Sequence, residues 1–183
     1  MQLLTDPAAV QGALAAAMLS RSDFACILDH ALAEREAGQG PLTERLGLSG
    51  AEIARLRGRW SPSAVLPDLS LPAPQYSADQ QAIATLILWR AGATDDEARW
   101  LAAILARRAM ERRHLWEDCG LPSRVALSGL IARHLPGLAA ANSQNMRWKK
   151  FFYRQICSDA AFSLCLSPTC DDCEERADCF APE

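Results

Sequence analysis

Four prolines, Pro62, Pro67, Pro72 and Pro74, fall between Ser61 and Ser77. Each lacks a backbone N–H and fixes its own φ, so this stretch can neither continue a helix nor lie inside a sheet. It is therefore expected to be an extended connector between two segments that both carry helix signals. On the N-terminal side, Asp6-Pro7 can open a helix running to Leu19, and a second fits Arg21 to Glu36, ahead of Gly38 and Gly40. Ser49-Gly-Ala-Glu52 has the form of a capping box and predicts a helix to about Arg59. Beyond the connector, Ser77 can cap a helix carrying Ile83, Leu86, Ile87 and Trp89. Thr94-Asp-Asp-Glu97 is a second capping box, followed by Leu101, Ile104, Leu105 and Arg108 at helical spacing towards Gly120. Leu121-Pro122 opens a helix to about Leu135, and Pro136 to Ser158 can form a last long one.

No segment alternates as a strand does, so the expected fold is all-α, a small helical bundle with an irregular C-terminal cysteine loop. The organisation read from the chain is an N-terminal helical part (1–60), the connector (61–77), a C-terminal helical part of the same domain (78–162) and a cysteine-rich tail (163–183). The five tryptophans, Trp60, Trp89, Trp100, Trp116 and Trp148, are expected in the core and at helix crossings.

The net charge of −3 gives no reason to expect nucleic acid as a partner. The segment Leu42 to Arg57 has the outline of a helix-turn-helix, but an acidic chain lacks the broad basic surface that DNA requires. No apolar run approaches the roughly 20 residues of a membrane span. No basic stretch precedes an apolar one near Met1, so no secretion signal is read and the cytoplasm is the expected compartment. In that reducing setting, seven cysteines point to metal binding or redox chemistry rather than disulfides. No nucleophile elbow, phosphate loop or dinucleotide fingerprint is present, so no catalytic role is expected.

The cysteines concentrate in the tail. Cys165, Cys170, Cys173 and Cys179 follow the spacing C-x4-C-x2-C-x5-C. Pro168 and the pair Asp171-Asp172 favour turns, and turns leave backbone N–H groups able to point at sulfur. The first three cysteines match the C-x4-C-x2-C of plant-type ferredoxins, and the set suits a 3Fe–4S or 4Fe–4S cluster. A structural zinc held by the four thiolates stays open as the alternative, in which case the chain would be a zinc-stabilised helical interaction or regulatory module, with the Leu42 to Arg57 region as its candidate nucleic-acid contact.

Two further stretches make the pattern specific. The run Asn145-Met-Arg-Trp-Lys-Lys-Phe-Phe-Tyr-Arg-Gln-Ile-Cys157, followed by the four tail cysteines and Phe180, resembles the C-terminus of the NifQ family. Glu111-Arg-Arg-His-Leu-Trp-Glu-Asp118 ahead of Gly120-Leu121 is also similar to that family. The resemblance covers residues 80–183; the first half is alike only in length and helical character. It implies a part in nitrogen fixation: supply of molybdenum for the nitrogenase iron–molybdenum cofactor, through an iron–sulfur centre that accepts molybdenum. It implies as partners the cofactor scaffold complex and the nitrogenase iron protein. It also places the metal ligands at Cys165, Cys170, Cys173 and Cys179. Cys26 and Cys119 lie outside that motif, and Cys119 stands where an apolar residue would be expected.

Molybdate is an anion, and the tail is crowded with Asp171, Asp172, Glu174, Glu175 and Asp178. The helix before it offers a better landing place. At about 100° per residue, Trp148, Phe152 and Ile156 share one face with Phe151 at its border, while Arg147, Lys150 and Arg154 share the other. Cys157 falls beside Lys150 and is a candidate extra ligand. Arg107, Arg108, Arg112, Arg113 and His114 form a second basic group on the half of a helix nearest its C-terminus, His114 being a candidate ligand and Arg112 and Arg113 candidate anion contacts. The alternative for both groups is solvated charge near a helix C-terminus, which the helix dipole favours.

Overall fold

A computed structural model describes the backbone of residues 7–92 and 95–159 and the side chains of 9–92 and 95–156. The described residues form nine helices and no strand. The fold is all-α.

Helix α1 (Pro7–Glu36) is a single helix of 30 residues, where two helices had been expected. The Ser20 side chain does not cap a second helix. It accepts a hydrogen bond from Arg133 Nε at 3.0 Å and lies 2.9 Å from His134 Nε2, so tertiary contacts claim it. From Ala9 to Leu19, α1 is exposed on all sides apart from a half-buried Ala16. The second half buries Phe24, Ile27, Leu28 and Ala31, at the spacing of one helical stripe.

The short helix α2 (Leu42–Leu46) ends at Gly47, whose φ of 66° is the left-handed conformation that closes a helix cheaply only in glycine. Helix α3 (Gly50–Trp60) starts from the expected capping box: Ser49 accepts from the Glu52 N–H, and the Glu52 carboxylate accepts from the Ser49 N–H at 2.8 Å. Residues 61–77 contain no helix and run as a strap across the bundle. Asp68 accepts from Arg35 at 2.6 and 3.1 Å and from the Leu42 N–H at 3.1 Å, and the Gly50 N–H donates to Leu71 O. A Cβ at Gly50 would stand 2.3 Å from Leu69 O, so only glycine lets the strap lie this close.

Helices α4 (Ala78–Ala91) and α5 (Asp96–Ala109) pack against each other at the centre. Ser77 caps α4 as expected, accepting from the Gln80 N–H at 3.1 Å. The cap of α5 is Asp95, one residue beyond the expected start at Thr94. Trp89 departs from the expected core position: it is 65% exposed, with the Arg90 guanidinium 4.5 Å from its ring centre.

Helix α5 does not run on to Gly120. It closes at Met110, and a separate turn, α6 (Leu115–Asp118), begins where His114 turns extended and its N–H donates to the Glu117 carboxylate. Helix α7 (Arg124–His134) is capped by Ser123 and ends at Leu135, because Pro136 excludes the α conformation from the residue before it.

The expected long helix from Pro136 to Ser158 is two helices, α8 (Pro136–Ala141) and α9 (Trp148–Asp159). Asn142 makes the break. Its buried amide accepts from the Met146 N–H at 2.8 Å and donates to Met146 O at 2.9 Å, which closes a loop through Asn145 at φ 52°.

Candidate functional site

The start of α9 collects the basic residues that the sequence had spread over two groups. Trp148, Phe151 and Phe152 are buried and pack ring against ring, and Ile156 is partly buried against the core, as the helical stripe predicts. The indole N–H of Trp148 donates to Ser128 Oγ at 3.0 Å, which fixes α9 to α7. Lys149 donates to Glu111 O at 2.7 Å and to the Asp118 carboxylate, which fixes α9 to α6.

These anchors open a cleft of about 140 Å³ between α6, α7 and α9, with Arg113, His114, Trp116, Arg124, Arg147 and Lys150 on its walls. Among the described residues no Asp or Glu lines it. Arg124 donates to the backbone and side-chain oxygens of Asn145, both neutral acceptors. The Nε of Arg147 is buried and makes no hydrogen bond. Arg113 and His114 are exposed at the rim. Arg112 and Arg154 do not line the cleft; Arg112 is exposed, and Arg154 reaches Gln144 Oε1 at 3.4 Å.

The break at Asn142 overturns the dipole argument made for α9. Arg147, Lys149 and Lys150 flank or occupy its first turn, not a late part of a long helix, and that turn contains no acidic residue. The helix dipole is positive there and disfavours these cations, and for Lys149 the Asp118 carboxylate offsets it. Arg124, in the first turn of α7, was missed from the sequence. It lies 23 residues from Arg147 in the chain, and only the fold of α7 against α9 joins them.

Arg108, read from the sequence with the basic surface group, is fully buried and pairs with Glu34 at 2.6 Å. Arg107 pairs with Glu111 at 2.7 Å. Cys119 is fully buried beside them, and desolvation pushes its thiol up to about 12. Burial, then Asp23 and Asp29, also raises the Cys26 thiol. Neither is a ready thiolate ligand at neutral pH. His30 pairs with Glu34 at 3.4 Å, and His134 is wedged against Phe24 and Trp60. The Leu42–Arg57 segment turns its apolar residues into the core, and Arg57 is tied to Ala64 O.

Among the described residues no three His, Cys, Asp or Glu side chains converge as a metal site would require, and no helix is long and apolar enough to cross a membrane. The side chain of Cys157 and the residues Cys165, Cys170, Cys173 and Cys179 lie outside the described part.

The family model for NifQ matches residues 23–181, which include all four tail cysteines. The chain belongs to the NifQ family. It is 73% identical to Protein NifQ of Rhodobacter capsulatus over 157 residues, 86% of this chain and 87% of that protein. It is 42% identical to a NifQ homolog of Sinorhizobium fredii, over 86% of this chain and 70% of the relative. It is also 37% identical to Protein NifQ of Klebsiella pneumoniae, over 79% and 90%. No solved structure matches the chain. Membership of the NifQ family implies a role in nitrogen fixation.

Proposed function

We propose that this chain is a molybdenum carrier for biosynthesis of the nitrogenase iron–molybdenum cofactor, holding an iron–sulfur or molybdenum–iron–sulfur cluster on Cys165, Cys170, Cys173 and Cys179. The observation that carries this reading is the family match across residues 23–181, which spans the four-thiolate motif. The donor set fits the group. Thiolates are the soft ligands that iron–sulfur clusters take, and the described cysteines, Cys26 and Cys119, are both held towards the neutral thiol. When bound, the cluster would supply bridging sulfides able to accept molybdenum. The chain acts as a carrier rather than an enzyme, in the cytoplasm, and hands its cargo to the cofactor scaffold complex, with the nitrogenase iron protein as a further partner.

The test is metal and sulfide analysis of protein isolated without oxygen. Iron with acid-labile sulfide, lost when any of Cys165, Cys170, Cys173 or Cys179 becomes Ala and kept in Cys26→Ala, is the expected result. A colourless protein holding one zinc, or full iron content in all four tail variants, would overturn it.

A further inference from the structure

We infer that the exposed first part of α1 is a dimerisation arm, which pairs antiparallel with the same arm of a second copy of this chain. The inference does not rest on the carrier reading, because the arm precedes residue 23, where the family match begins.

The bundle takes hold of α1 only from Ser20 onward, where Ser20, Asp23 and Phe24 are buried. Ahead of that point, Pro7 to Leu19 stands clear as about 20 Å of helix. Val10, Leu14 and Met18 recur every fourth residue and form one row along it. They are 48%, 61% and 73% exposed, so among the described residues none covers that row. An apolar row of this length on an exposed helix marks a contact surface.

Three properties select a second copy as its occupant. No charged residue lies between Pro7 and Ser20, so two arms meet without opposing like charges, whereas a distinct partner is as a rule selected by charge around an apolar centre. The first charges in the sequence on either side, Asp6 and Arg21, are of opposite sign. Antiparallel pairing turns the acidic end of each arm towards the basic end of the other. Ala13 and Ala17 flank the row, and residues that small let two helices approach until side chains four apart interlock. The arm is already helical before it pairs, because it propagates from the half of α1 held in the core, and so little ordering is lost on contact. Covering the row on both copies removes roughly 1,000 Å² from water, near the lower limit of a specific interface, and the dimer is therefore weak, with a Kd in the micromolar range.

Sedimentation equilibrium of the full chain between about 1 and 200 µM tests this, with reductant present so that disulfide-linked pairs do not form. A reversible monomer–dimer equilibrium is expected. It should persist when all four tail cysteines are changed to Ala, which separates the arm from a metal centre shared between tails. Leu14→Glu/Met18→Glu should weaken the dimer about tenfold or more, because it sets like charges face to face, and should leave the melting temperature of the dilute monomer unchanged. Val125→Glu, a change of the same kind at an 81% exposed residue of α7, should leave the dimer as it is. In a two-fold contact row meets row, so mixing the Glu variant with Leu14→Lys/Met18→Lys should restore a dimer that neither forms alone. A monomer across the whole range, a dimer that survives Leu14→Glu/Met18→Glu, or failure of the two charged variants to pair would overturn the inference. Loss of the dimer in the four-cysteine variant would assign the link to the tail and overturn it too. A melting temperature lowered by several degrees in the dilute Glu variant would mean that another segment of the same chain covers the row, and would also overturn it.

Discussion

Arg108 and Glu34 show how a polar pair is kept in this core. The guanidinium is fully buried, one of its nitrogens lies 2.6 Å from the carboxylate, and its Nε and Nη2 have no partner. Removing one member of such a pair strands the other charge, so Glu34→Ala should cost about 3–5 kcal/mol in denaturant unfolding. The double change Glu34→Leu/Arg108→Met should cost clearly less, because no charge is then left buried. His134 sets a pH dependence. Burial beside Phe24 and Trp60 lowers its pKa below the ordinary 6.5, against the pull of Glu97. The unfolded chain therefore takes up the proton first. Its contribution to stability is complete above about pH 6.5 and is lost as pH falls through the depressed folded value. Melting temperature should drop between pH 7.5 and 5.5, and by less in His134→Phe, which keeps the ring and removes the titration.

At the scale of elements, the loop from Asn142 to Arg147 decides where α9 begins and so where its positive end points. Asn142→Ala removes two buried hydrogen bonds to Met146 and leaves that backbone unpaired. A loss of about 2–4 kcal/mol is expected, read as a lower denaturant midpoint at unchanged slope. This loop also marks the boundary of what the sequence could reveal. Caps such as Ser49 and Ser77 act within three residues, so local rules find them. Pro136 to Ser158 has a break set by one side chain reaching four residues along, and helical periodicity on either side hides it. The same distinction applies to the cleft. Arg113, His114, Arg147 and Lys150 were legible as basic clusters, whereas Arg124 joined them only through the packing of α7. Arg108 was misassigned because its spacing suits surface and core alike until Glu34 is known to face it.

Across the whole molecule, the core of the described residues runs from Phe24 to Phe152, and none of the four tail cysteines is among its members. The four tail Cys→Ala variants should therefore keep the helical circular dichroism signal and a cooperative melt while losing iron. A second property follows from the way α1 is used. Its apolar stripe, Phe24 to Ala31, is covered by α2 and α3 and by α7, and Arg133 of α7 closes on Ser20 and Asp23 across 113 and 110 residues of chain. During synthesis α1 leaves the ribosome first, yet α7 follows only after about 5–20 s at usual elongation rates. For that interval the nascent chain displays an uncharged, alanine-rich helix start and a half-covered apolar stripe. The stripe of α1 is thus covered in full only after α7 has been made, when Arg133 can close on Asp23.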